Sequence, residues 1–73
     1  MPKLPVVSGK ECSKALGGLG FEESRQHGSH VVMKRDESGC VVPVHAEIKV
    51  GALSGILKQA RLSVEGFINA LGS

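Results

Sequence analysis

The sequence predicts an α+β fold of order α-β-β-β-α with a short extra C-terminal helix, a three-stranded antiparallel sheet carrying its helices on one face. Three observations predict it. A capping signal at residue 8 opens an amphipathic stretch, three short β-rich segments separated by tight turns follow, and two stripes of helical period close the chain. Seventy-three residues, 41% of them hydrophobic, suit one domain over residues 1–73 with a thin core. Such a core leaves no room for a large enclosed cavity, so chemistry is expected at the surface, against a large substrate.

Residues 1–7, with Pro2 and Pro5, read as an extended lead-in. Ser8 and Glu11 form a capping box, with Val7 placed to staple onto Cys12. Cys12, Ala15, Leu16 and Leu19 then recur at the spacing of a core-facing helix, which Gly17, Gly18 and Gly20 end. A strand over Phe21–Gln26, a turn at His27-Gly28 and a second strand over Ser29–Arg35 come next. Asp36-Glu37-Ser38-Gly39 has Asp at the first and Gly at the last position of a four-residue turn. The third strand, Cys40–Val44, contains Pro43, which suits an edge or a bulge. Leu53, Ile56, Leu57 and Ala60 mark one helix; Val64, Phe67, Ile68 and Leu71 mark another behind an N-cap at Ser63.

No run is long enough to span a membrane, and no secretory leader is expected. Cys12 and Cys40 lack C-x-x-C spacing, a usage that suits a reducing cytoplasm. Nine Lys and Arg against seven Asp and Glu give a net charge of only +2, too weak to announce a nucleic-acid partner alone. With Phe21 and Phe67 the only aromatic rings apart from histidine, a platform for stacked bases is not expected. An RNA ligand would be held through phosphates and 2′-hydroxyls.

The densest chemistry lies in Arg25-Gln26-His27-Gly28-Ser29-His30 and the strand after it. Histidine exchanges protons near neutrality, and Arg25, Lys34 and Arg35 lie within a few residues of His30, so a phosphodiester could be held within its reach. Gly28 permits the backbone turn that aims the following residues outward. Alternation puts His30, Val32 and Lys34 on one face of the strand and Ser29, Val31, Met33 and Arg35 on the other, without deciding which face is the core. His45, at the strand exit, reads either as a loop histidine or as a second acid/base or phosphate ligand. His27 reads as a turn residue with a phosphate contact. A zinc set from His27, His30, Cys40 and His45 is disfavoured, since a spacing of three along an extended chain sends side chains to opposite faces. Ser29 lacks the orienting carboxylate and oxyanion hole of a serine nucleophile and reads as a turn former.

Arg25-Gln26, Gly28-Ser29-His30, Val42-Pro43-Val44-His45, Ile56-Leu57-Lys58-Gln59-Ala60 and Leu62-Ser63-Val64-Glu65-Gly66-Phe67 together resemble the HicA (YcfA-like) family, the RNA-cleaving halves of HicA–HicB toxin–antitoxin pairs. Leu4-Pro5-Val6-Val7-Ser8-Gly9-Lys10 fits as well. The resemblance implies a double-stranded-RNA-binding-domain-like fold and an mRNA endoribonuclease without metal or other cofactor. It also implies a HicB-type antitoxin partner and a catalytic histidine at His30; Arg25, Gly28, Ser29, Lys34, Arg35 and His45 are the candidate RNA-binding or supporting residues around it. The rival expectation is a non-catalytic RNA-binding module of the same fold. Three positions depart from the family pattern: Ala52, Arg61 where a glycine commonly ends the helix, and Gly66.

Overall fold

The computed structural model describes residues 3–72; Pro2, in the expected lead-in, lies outside the described residues. The elements run α1 (Gly9–Gly18), β1 (Glu22–His27), β2 (His30–Arg35), β3 (Ser38–Pro43), α2 (Val50–Ala60) and α3 (Val64–Leu71). This is the expected α-β-β-β-α order with its extra helix.

Both halves of the capping box form. Glu11 N–H donates to Ser8 Oγ and Ser8 N–H to Glu11 Oε1, each at 3.0 Å. The Ser8 backbone bond, then its hydroxyl, hold the Glu11 carboxyl below the usual carboxylate range. At the other end of α1 the chain reverses through Gly20, whose φ of +96° suits a glycine.

The sheet order is β1-β2-β3, antiparallel throughout. Its inner face is decided by β2: Val31 and Met33 are buried, opposite Val42 and Cys40 of β3, which are buried too. Against them lie Cys12, Ala15 and Leu16 of α1, Leu53, Ile56, Leu57 and Ala60 of α2, and Phe67 of α3. Val32 faces the other way, half-buried beside exposed Val41. All six residues of β1 are exposed, so the helices cover β2 and β3 and leave β1 as a free flank. Among the described residues no helix is long and apolar enough to cross a membrane.

Several boundaries differ from expectation. The first hairpin loop is Gly28-Ser29 rather than His27-Gly28, with Gly28 at φ +57° in the first central position, where a two-residue loop needs it. The second loop is only Asp36-Glu37, because Asp36 tolerates a left-handed φ of +52° and lets β3 begin at Ser38. In α3, Val64, Phe67, Ala70 and Leu71 pack on the core, so Ala70 takes the place expected for Ile68. Arg61 caps α2 in the left-handed region, φ 59° and ψ 41°.

Candidate functional site

The site is built on the sheet face that the helices leave open. Directly paired residues of antiparallel strands project to the same side. His30, Val32 and Lys34 of β2 therefore share that face with His27, Arg25 and Glu22 of β1, and with Pro43, Val41 and Gly39 of β3. His30, Lys34, Arg25 and His27 are all exposed. A bulge between Glu23 and Arg25 resets the pairing, so that Glu22 and not Glu23 stands opposite Lys34.

The one-residue shift of the first loop changes the meaning of His27. Placed in the strand instead of the turn, it is the cross-strand partner of His30. The spacing of three that would part the two side chains on a continuous strand spans a hairpin here, and brings them to one face. Arg25 Nη1 lies 3.4 Å from His27 Nε2; a guanidinium only donates, so the imidazole nitrogen accepts. Gln26 Nε2 donates to the Gly28 carbonyl at 3.1 Å and braces the loop from the strand before it. Ser29 lends its carbonyl, which accepts from Val44 N–H at 2.6 Å and ties the hairpin to the exit of β3.

That tie brings in His45. Its ring sits 6.5 Å from the His30 ring, centroid to centroid, with the planes at 61°. The row across the end of the sheet is thus His27, His30, His45, with Arg25 behind it and Lys34 farther along β2. Among the described residues no three His, Cys, Asp or Glu side chains converge as metal ligands. Cys40 is on the buried side with Cys12. Burial and then the neighbouring Cys40 push the Cys12 thiol up to about 12, and burial raises Cys40 as well, so neither offers a thiolate to this face.

Arg35 is not brought here. Its side chain runs along the helix side, donating from Nη1 to the Leu19 carbonyl at 2.8 Å with its guanidinium carbon 4.8 Å from the centre of the Phe21 ring. It also touches the spot where a side chain at Gly20 would begin.

One residue bears on the site in a way its motif does not reveal. Gly9 donates its N–H to the His45 carbonyl at 2.8 Å. A Cβ at Gly9 would run into the Pro43 carbonyl oxygen, with Val44 Cα at 2.9 Å. The start of α1 therefore seats the strand exit that bears His45, and only glycine allows the approach. The signal available in the sequence was a glycine just after the N-cap, where helix geometry alone does not ask for one.

The family model described as HicA toxin of bacterial toxin-antitoxin matches residues 9–62 of the chain. The chain itself matches no curated protein.

Proposed function

The chain belongs to the HicA toxin family of bacterial toxin–antitoxin systems, and we propose that it cuts mRNA as a metal-independent endoribonuclease with His30 as its general acid/base. The observation that carries the reading is the exposure of His30 on the open sheet face, with Arg25 and Lys34 on that same face. An uncovered sheet accepts a polynucleotide without an enclosed pocket. The nucleophile comes from the substrate: His30 takes the proton of a ribose 2′-hydroxyl, and that oxygen attacks the adjacent phosphorus. Arg25 stabilises charge on the phosphoryl oxygens, and Lys34, about 13 Å farther along β2, holds a neighbouring phosphate of the same strand. The products are a 2′,3′-cyclic phosphate and a 5′-hydroxyl end.

The same face serves as the docking surface of the antitoxin, a HicB-type protein whose acidic groups meet Lys34 and Arg25 and whose bulk shuts out RNA. Arg35, engaged by Leu19 and Phe21, takes no part in either contact.

The test is cleavage of an end-labelled RNA by the purified chain, compared with the same RNA carrying one 2′-deoxyribose at the mapped cut. Cutting should vanish at that linkage, and His30→Ala should lower the rate on unmodified RNA by about 10²–10⁴-fold. Equal cutting of the deoxy substrate removes the mechanism. Binding of RNA by the wild type without any cleavage favours the non-catalytic module instead.

A further inference from the structure

His30 and His45 stand differently from His27. The Nε2 of His27 is engaged by Arg25, whereas His30 and His45 are held by their backbones and hold no side-chain hydrogen bond among the described residues. The positions of the two rings are nonetheless fixed from both sides. Val44 N–H bonds the Ser29 carbonyl, one residue before His30, and Gly9 N–H bonds the carbonyl of His45 itself. Strand, hairpin and helix start thus set the 6.5 Å between two exposed imidazoles.

That distance suits two proton transfers at one phosphate. Rings so placed leave room for a phosphoryl group between or above them, each nitrogen reaching a different oxygen at about 2.7–3.2 Å. Cleavage by an internal 2′-hydroxyl has two oxygens that need proton help: the attacking one loses a proton, and the leaving one gains one. A single histidine serves only one of them at a time.

Resting on the nuclease reading above, we propose that His45 is a second catalytic residue, the general acid that protonates the departing 5′-oxygen while His30 deprotonates the 2′-hydroxyl. The 2′-oxygen–phosphorus bond forms as the phosphorus–5′-oxygen bond breaks. The 2′-hydroxyl proton ends on His30, and the proton carried by His45 ends on the new 5′-hydroxyl. The two histidines are left in exchanged protonation states, which solvent restores. His27 and Arg25 hold a phosphate oxygen beside them and move no proton.

The experiment uses single-turnover cleavage of one short RNA at a linkage mapped with the wild type, made with either the natural 5′-oxygen or a bridging 5′-sulfur. A thiolate departs without a proton, so the sulfur substrate needs no acid. His45→Ala should lose about 10²–10⁴-fold on the oxygen substrate and recover most of that loss on the sulfur substrate. His30→Ala should stay slow on both. His45→Gln, which keeps size and hydrogen bonding, should behave like His45→Ala; unfolding curves of each variant should match the wild type, because the structural bond of His45 is made by its carbonyl.

The proposal is overturned if His45→Ala cuts the oxygen substrate at the wild-type rate. It is overturned equally by a defect of the same size on both substrates, which marks a binding role, or by rescue of His30→Ala instead. In those cases the wild type still cuts RNA and the nuclease reading stands, except that rescue of His30→Ala recasts His30 as the acid. A wild type that cuts neither substrate removes both.

Discussion

Lys34 and Arg35 are adjacent cations on one strand, yet they belong to different parts of the molecule. Lys34 projects from the open face in line with His30, while Arg35 turns to the helix side and is spent on Leu19 and Phe21. The same division runs down β2, with His30 and Val32 outward and Val31 and Met33 buried. Charge near a histidine in sequence is therefore a poor guide to charge near it in space. Strand alternation sorts the residues, and the helices then decide which half has work left to do in packing.

The division has one crossing point, and it is where the largest effect on stability is expected. Gly9 sits against Pro43 and Val44 and bonds the carbonyl of His45. Gly9→Ala forces α1 away from the strand exit, an overpacking cost of about 1–3 kcal/mol. Since 1 kcal/mol moves the Tm of a domain this size by roughly 4–8 °C, thermal unfolding would register it plainly. Activity should fall further than the unfolded fraction explains at temperatures where the variant remains folded, because the His30–His45 spacing is set there. A variant as stable as the wild type would show that the helix start and the strand exit do not bear on each other.

Next in size is the paired substitution that tests the sorting itself. Arg35→Ala removes a charged hydrogen bond and a cation–π contact, so unfolding should show a loss of about 1–2 kcal/mol, with RNA affinity little changed. Lys34→Ala should leave stability within about 0.5 kcal/mol. It should weaken RNA binding and flatten the dependence of log affinity on log salt by about 0.7–1. If the two variants exchange these phenotypes, the two faces have been assigned the wrong way round.

The elements were legible because their signals are local. The capping box at Ser8 and Glu11, the stripe Leu53, Ile56, Leu57, Ala60, and the glycine in the first loop each need only near neighbours to act. His30 was legible as an outward residue only relative to Lys34; which face was inner depended on where α1 and α2 landed, and Val31 and Val32 are equally apolar. The turn boundary lies one residue from its expected place because a single glycine fits either of two adjacent loop positions, and that residue decides whether His27 faces His30. The fate of Arg35 and the contact that requires glycine at position 9 are not legible locally, for a common reason. Each rests on a contact between segments far apart in the chain: residue 35 with 19 and 21, residue 9 with 43 to 45.

The smallest effect tests whether stability and activity can be moved separately. Arg61 closes α2 at φ 59°, with its N–H bonded toward Leu57 and Lys58 and Leu62 N–H to the Leu57 carbonyl, a cap that glycine adopts without strain. Arg61→Gly relieves about 1–2 kcal/mol of left-handed strain and gives back roughly 0.3–1 kcal/mol by removing a cation from the helix C-terminus. The expected net is a gain of about 0.5–1 kcal/mol, read from denaturant unfolding as a shifted midpoint with an unchanged slope. Gly66, the other departure in this region, offers no such gain: at the third position of α3 a Cβ would lie 3.0 Å from Ser63 Oγ, the cap that bonds Gly66 N–H. Arg61 belongs to neither sheet face, so the more stable variant should cut RNA at the wild-type rate. A change in cleavage would mean that this guanidinium reaches the polynucleotide, and that the bound RNA extends past the edge of the sheet to the end of α2.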